Sequence, residues 1–222
     1  QNHTIESIMN YERLNPYAYV FKSKSMIDFE TVKPRVLAYL DYANTQHQTS
    51  LEKDGGRSSV HLSVTDPPHA WDEFTPFREK MFEVCDEVWK EWKLQPCIKQ
   101  VKGSWINEHP QGAWTDSHHH HGCHLVVSWY MKQPKDSGRL MIQNPLTPYK
   151  MSEPTDVLYD AMGMDWIPID TEEGDFLVFP GWLKHKTEVN NSSEMRYIMS
   201  VNISAYRFYG ENEMPFQHNR VT

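Results

Sequence analysis

The sequence predicts a mostly β protein with N-terminal helices: a jelly roll of about eight strands, flanked by two helices. Two observations predict this class. Up to residue 95 the apolar residues recur at helical spacing, whereas from Pro96 onwards they fall in short β-branched and aromatic runs separated by turn residues. We therefore expect a helical support region, residues 1–95, that packs on a jelly-roll core, residues 96–222, within one compact domain.

Two helices are predicted in the first region. The first has Thr31 as its N-cap and Pro34 in its first turn. The second begins near Thr75 and Pro76, where a capping residue is followed by a proline, and it ends before Pro96. The apolar stripes that predict these helices are Val32, Val36, Leu40 and Ala43 in the first, and Phe77, Met81, Val84, Val88 and Trp92 in the second.

The second region divides into eight apolar runs. "KDSG" between the third and fourth runs and "EEGD" before the sixth indicate tight turns. The long stretch Leu146–Asp165 is a candidate substrate lid, although packing at the edge of the core explains its residues equally well. The expected strands are Ile98–Glu108, Trp114–His120, His124–Lys132, Arg139–Gln143, Trp166–Asp170, Phe176–Pro180, Lys184–Val189 and Met195–Tyr206.

Composition excludes several classes of function. The formal charge of −8, without a basic cluster, argues against binding to nucleic acid. No apolar stretch is long enough to span a bilayer, and no signal peptide is evident. The three cysteines, Cys85, Cys97 and Cys123, are too few and too irregularly spaced for a disulfide framework. We therefore expect a cytoplasmic protein.

The histidine run "HHHHGCH" at His118–His124 is the first candidate for chemistry. Because side chains alternate across a strand, His118 and His120 share one face, while His119 and His121 share the other. A solvated, histidine-rich loop explains the run as well as a metal site does. Two later features favour the metal site: His185, which follows a buried strand ending in Pro-Gly, and Arg196, which opens the last strand. Taken singly, His185 could equally be a structural histidine near a turn, and Arg196 could equally form a surface ion pair.

The second half of the chain resembles the Fe(II)/2-oxoglutarate-dependent oxygenases. It is most similar to a branch from marine bacteria and phages that has H-x-H where the superfamily usually has H-x-D. The resemblance covers roughly residues 99–204, about half of the chain, and the last two motifs carry it most specifically. The matching motifs are "SWIN" (104–107), "HHH" (118–120), "VVSWYM" (126–131), "SGRLMIQNP" (137–145), "FPGWLKH" (179–185) and "RYIMSVN" (196–202).

The resemblance implies a double-stranded β-helix with an iron site. His118 would be the first ligand and His185 the distal ligand, while Arg196 would bind the 5-carboxylate of 2-oxoglutarate. The third ligand is left open between His120, a water molecule and Asp116, and His120 is favoured.

Three further residues are candidates for contact with the cosubstrate. Asn107 lies where related enzymes place a polar contact, and Ser200 shares the strand face of Arg196. Trp129 belongs to the more apolar face of the third strand, which we expect to point inward, so it would wall the cosubstrate pocket unless it only packs in the core.

These expectations amount to an Fe(II)- and 2-oxoglutarate-dependent dioxygenase that hydroxylates a small-molecule or peptide substrate and releases succinate and CO2. Two alternatives stay open from the residues. One is a three-histidine cupin-type dioxygenase that does not use 2-oxoglutarate, and the other is a non-catalytic jelly-roll module that binds a metal. The oligomeric state is equally open, with a homodimer as one possibility.

Overall fold

The fold is given by a computed structural model, which describes residues 12–13, 20–46, 55–145 and 165–207. Three short 3-10 helices, Val60–Leu62, Pro68–Ala70 and Asp72–Phe74, connect the third strand to the second α-helix. The elements in chain order are β1 (Glu12–Arg13), β2 (Phe21–Lys24), α1 (Phe29–Gln46), β3 (Arg57–Ser58), α2 (Thr75–Glu91), β4 (Cys97–His109), β5 (Leu125–Lys132), β6 (Leu140–Gln143), β7 (Trp166–Ile169), β8 (Asp175–Pro180), β9 (His185–Thr187) and β10 (Arg196–Arg207).

The strands form two antiparallel sheets. The major sheet has the order β1-β2-β8-β5-β10-β4-β3, and the minor sheet has the order β7-β6-β9. Apolar side chains from both sheets meet in one core, in which Val126, Leu177 and Ile198 of the major sheet pack with Ile142 and Ile167 of the minor sheet. This arrangement confirms the predicted jelly roll.

A second core lies on the outer face of the major sheet, under α1 and α2. The aromatic rings of Phe77 in α2 and Trp129 in β5 stack with their centroids 4.3 Å apart. Leu125, Val127 and Met131 of β5 belong to the same core. The prediction that this face of β5 points into the jelly roll is therefore wrong, because the more apolar face is the one that the helices cover.

The N-terminal region is more than a helical support. Strands β1 and β2 extend the major sheet at one edge, and β3 extends it at the other. Helix α1 also begins earlier than predicted, at Phe29, and not after a cap at Thr31. The side chain of Asp28 accepts a hydrogen bond from the backbone N–H of Glu30 at 3.1 Å, so Asp28 serves the first turn of the helix.

Seven of the eight runs predicted after residue 96 form strands, each within a few residues of its expected bounds. The exception is Trp114–His120, which contributes only one isolated bridge, between His118 and His185. Its other backbone groups bond irregularly: the N–H of Ser117, for example, donates to the Asp116 side chain. The candidate lid at Leu146–Asp165 lies outside the described residues, except for Asp165.

Candidate metal centre and cosubstrate pocket

Three histidines converge at one point of the jelly roll. His118 and His185 exchange backbone hydrogen bonds of 2.9 Å, and the N–H of His120 donates to the carbonyl of Gly181 at 2.9 Å. These bonds bring the histidine run against the start of β9. As a result, one ligand atom from each of His118, His120 and His185 lies within 4.8 Å of the others. The Nε2 atoms of His120 and His185 are 3.3 Å apart.

Each of the three rings is oriented through its other nitrogen. The Nδ1 of His118 lies 2.7 Å from the carbonyl oxygen of Asp116, and that of His185 lies 2.8 Å from the carbonyl oxygen of Leu183. The Nδ1 of His120 lies 2.6 Å from Oδ1 of Asn202. An oxygen of this kind only accepts, so each Nδ1 carries the proton. All three Nε2 atoms therefore present lone pairs, in the arrangement that metal-ligating histidines adopt.

The electrostatics of the site keep the imidazoles of His120 and His185 neutral. Burial, together with the nearby His118, lowers the pKa of His120 to about 4 and that of His185 to about 3. Neutral imidazole is the form that binds a metal. With both Nδ1 atoms protonated, no proton is left to bridge the two Nε2 atoms, and their lone pairs repel. A shared cation removes this repulsion, so the donor set fits a divalent metal.

A cavity of about 340 Å³ opens beside the three histidines. His118 and His185 line it, and so do the predicted cosubstrate residues Asn107 and Ser200. Oδ1 of Asn107 accepts a hydrogen bond of 2.6 Å from the hydroxyl of Ser58. The other lining residues are Ser58, Val60, Trp105, His109, Thr115, Asp116, Ser117, Ser128, Tyr130, Leu140, Thr187 and Ile198.

Arg196 opens β10 and is fully buried. Its Nη1 contacts three backbone carbonyls, those of Ser137, Gly138 and Glu188, and its Nη2 donates to Oγ1 of Thr187 at 3.1 Å. Its Nε has no hydrogen-bond partner among the described residues. Burial lowers the pKa of Arg196 to about 10, which leaves the guanidinium charged at neutral pH. The described residues that line the cavity do not include Arg196.

The sequence analysis did not predict three other residues that line the cavity: His109, Tyr130 and Thr187. In the described part of the chain, neither the hydroxyl of Tyr130 nor Nδ1 of His109 has a hydrogen-bond partner. Burial raises the pKa of Tyr130, and burial together with Arg196 lowers the pKa of His109 to about 3, so both groups are neutral. Ser128 is a polar residue that lies on the same face of β5 as Tyr130, and this pattern could have identified Tyr130 as a cavity residue.

The structure does not place Trp129 at the pocket. It lies on the opposite face of β5 and packs against Phe74 and Phe77, which belong to the segment that covers the major sheet. Its predicted role as a wall of the cosubstrate pocket is therefore wrong, because β5 is buried on both faces and the cavity faces Ser128 and Tyr130.

Comparison with known proteins identifies the class of site. Residues 103–202 match a family model described as a putative 2OG-Fe(II) oxygenase. The matched region spans just under half of the chain and indicates a 2OG-Fe(II) oxygenase. This oxygenase therefore uses Fe(II) and 2-oxoglutarate, and the family match favours the predicted class over the two alternatives, the cupin-type dioxygenase and the non-catalytic module. No curated protein matches the sequence.

Several solved structures share the fold of this oxygenase. The 2-oxoglutarate complex of the viral collagen prolyl hydroxylase from Paramecium Bursaria Chlorella virus-1 matches with a TM-score of 0.52 and 12% identity, over 86% of this chain and 97% of that one. The epimerase SnoN from nogalamycin biosynthesis matches with a TM-score of 0.55 and 11% identity, over 90% and 86%. The non-heme monooxygenase ThoJ matches with a TM-score of 0.55 and 12% identity, over 85% and 74%. At these identities the likeness shows the fold alone.

No helix within the described ranges has the length and apolar character needed to cross a membrane.

Proposed function

We propose that this oxygenase hydroxylates a C–H bond of a small-molecule or peptide substrate, with His118, His120 and His185 as the iron ligands. The observation that carries the proposal is the convergence of His118, His120 and His185, whose ligand atoms lie within 4.8 Å of one another, beside a cavity that His118 and His185 line. The guanidinium of Arg196 donates a hydrogen bond to Thr187, which lines the same cavity. A positive charge therefore lies next to the cavity at Thr187, and that end suits the 5-carboxylate of 2-oxoglutarate.

His120 is the third ligand in this proposal, in preference to water or Asp116. Its ring is held at Nδ1 by Asn202, and its Nε2 lies 3.3 Å from that of His185. Asp116 contributes differently, since its carbonyl oxygen orients the ring of His118 and its carboxylate accepts the N–H of Ser117 at 2.6 Å.

When bound at this site, Fe(II) with 2-oxoglutarate activates O2 and couples formation of succinate and CO2 to substrate hydroxylation. The chain supplies orientation and a cavity with both apolar and polar walls. Leu140 and Ile198 give the wall its apolar character, whereas Asn107 and Ser200 offer polar contacts to the cosubstrate. The hydroxyl of Tyr130 stays protonated and is available as a further donor.

The proposed substrate is a peptide side chain or a small metabolite. The solved structures of similar fold include a collagen prolyl hydroxylase and an enzyme of nogalamycin biosynthesis. We also propose a cytoplasmic location, which the three cysteines support because all of them are free and all lie in the described part of the chain. Homodimerisation stays a prediction.

The test is turnover of 2-oxoglutarate by protein purified without a histidine tag and loaded anaerobically with Fe(II). On admission of O2, we expect succinate to form by mass spectrometry, and a panel of peptides and metabolites should reveal the substrate by an added mass of one oxygen. Alanine at His118, His120 or His185 should lower turnover by roughly a hundredfold or more, since loss of a ligand leaves the metal loosely held.

His119→Ala is the matched control for these variants. His119 is exposed and its ring contacts His121, so turnover should be unchanged. Failure of the wild type to form succinate, with or without the panel, would contradict the proposed function. Full activity of His120→Ala would instead remove His120 from the ligand set.

A further inference from the structure

The indole of Trp105 connects the three histidines with the cavity. Its ring lies nearly parallel to that of His120, with an interplanar angle of 20° and ring centroids 5.7 Å apart. Trp105 also lines the cavity and is only half-buried, whereas His120 is not among the described lining residues. An electron-rich ring therefore lies beside a proposed metal ligand with part of its surface open.

The register of the strands places Trp105 near the metal-binding end of the cavity. Asn202 of β10 orients one of the three imidazoles, and Ser200, two residues earlier on the same face, lies opposite Trp105 of β4. Apart from the histidines, the other aromatic residue that lines the cavity in the described part of the chain is Tyr130. It lies opposite Ile198, one step further from Asn202. Trp105 is thus the first oxidisable ring along this wall.

This position exposes Trp105 to the chemistry of the site. An oxygenase directs an oxygen atom to the C–H bond that is held closest to its reactive centre, and a bound substrate normally provides that bond. When 2-oxoglutarate is consumed without substrate, the closest oxidisable group belongs to the cavity wall. An indole is easily oxidised, so its ring competes well for the oxygen atom.

The reaction balances with the co-reactants of the proposed function. Decarboxylation of 2-oxoglutarate to succinate and CO2 supplies two electrons, and conversion of an indole C–H bond to C–OH supplies two more. These four electrons reduce O2. One oxygen atom enters succinate and the other enters the ring, where the displaced hydrogen becomes the hydroxyl proton.

We propose that Trp105 is the residue at which this oxygenase hydroxylates its own chain when 2-oxoglutarate turns over without substrate. A bound substrate covers the same indole and takes the oxygen atom instead. This inference rests on the proposed function, because it assumes that Fe(II) and 2-oxoglutarate bind beside the three histidines.

Two other tryptophans serve as controls within the same molecule. Trp182, in the turn after β8, is 54% exposed, so an oxidant that diffuses through the solvent reaches it first. Trp129 is 1% exposed and packs under the helices, so neither a diffusing nor a site-bound oxidant reaches it. Attack from the site itself therefore predicts a different pattern from general oxidation.

The test is a peptide map of untagged protein that is loaded anaerobically with Fe(II) and 2-oxoglutarate and then exposed to isotopically labelled O2, with catalase present. Mass spectrometry should find one labelled oxygen atom on Trp105, in a fraction about tenfold or more above that on Trp182 or Trp129. Protein that holds Mn(II) in place of Fe(II), or that lacks 2-oxoglutarate, should stay unmodified. Succinate is measured in the same samples.

Two variants and one addition make the test specific. Trp105→Leu should lose the modification without transferring it to the other two tryptophans, and binding of Mn(II) shows whether its metal site is intact. Trp182→Phe is the matched control and should leave oxidation of Trp105 unchanged. Any compound that the enzyme hydroxylates should lower the modified fraction of Trp105, because it covers the indole.

The outcomes separate this inference from the proposed function. Equal oxidation of Trp105 and Trp182, or labelled oxygen on another cavity residue with Trp105 unmodified, overturns the inference. So does succinate that forms while Trp105 stays unmodified, or that forms only when a substrate is present, and in both cases the oxygenase proposal stands. If no succinate forms with or without the substrate panel, the proposed function itself fails.

Discussion

At the scale of single residues, the candidate iron site depends on Asn202. His118 and His185 are oriented by backbone carbonyls, which no substitution removes, whereas His120 is oriented by a side chain. Asn202 lies on β10, opposite Val126 of β5 and Gly103 of β4, so three neighbouring strands fix its position. Of the three proposed ligands, His120 is thus the one whose support can be tested by mutation.

We expect Asn202→Leu to lower the affinity for Fe(II) by about tenfold to a hundredfold, because the ring of His120 loses the acceptor that sets its tautomer and orientation. Metal affinity is measured anaerobically by competition with a chelator. Asn191→Ala, an exposed asparagine in the loop between β9 and β10, is the control and should bind iron normally. An unchanged affinity in Asn202→Leu would mean that His120 needs no such support.

The residue scale also shows what a sequence can and cannot predict of such a site. His118, His120 and His185 were predicted as a set, and they do converge, but not because a strand alternates there. Backbone hydrogen bonds to His185 and Gly181 hold the run instead. Asn202 was not predicted as the partner of His120, nor Thr187 as the partner of Arg196. Asn202 lies 82 positions from His120, and no local sequence pattern indicates a hydrogen bond over that separation.

At the scale of elements, the orientation of β5 was predicted wrongly for a physical reason. Apolar alternation marks the buried face of a strand that has one face in water. Strand β5 is buried on both faces, under the helices on one side and the minor sheet on the other, with only Lys132 at its end partly exposed. Periodicity therefore could not distinguish the cavity face, and the more apolar residues pack under the helices.

The turn after β8 is the element that seats His120. Gly181 accepts the N–H of His120 through its carbonyl oxygen, and its own N–H donates to the carbonyl of His124. A Cβ on Gly181 would overlap the carbonyl oxygen of Cys123 and would lie 3.1 Å from that of His120. Gly181 is thus required because the histidine run approaches its backbone closely, and not because its own φ is unusual.

We expect Gly181→Ala to lower iron affinity at least tenfold and to reduce the free energy of unfolding by about 1–3 kcal/mol, because the added methyl group displaces the backbone that carries His120. Gly56→Ala is the matched control, since its Cβ would overlap the carbonyl oxygen of Glu108 at the β3–β4 edge. Both variants should lose stability in urea titrations, but only Gly181→Ala should lose iron. Equal iron affinity in the two would show that the turn does not position His120.

At the scale of the whole molecule, the predicted jelly roll is confirmed, and residues on both sides of position 95 contribute to its core. Helices α1 and α2 pack on one face of the major sheet, and β2 and β3 pair with β8 and β4. The sequence predicted the helices from their period, but it could not predict β3. Strand β2 is the second strand from one edge of the major sheet, and β3 is the strand at the other edge. They have four and two residues, and their pairing with β8 and β4 depends on partners far along the chain.

This architecture predicts that residues 96–222 do not fold alone. Without residues 1–95, the outer face of the major sheet would present a continuous apolar surface that includes Val127, Trp129, Val178, Met199 and Val201, and such surfaces lead to aggregation. We expect the fragment to be insoluble or to lack a cooperative urea transition and high-affinity iron binding, whereas the full chain unfolds in one step. A soluble fragment that unfolds cooperatively and binds iron like the full chain would contradict this prediction, because the three histidines would then need only the jelly roll itself.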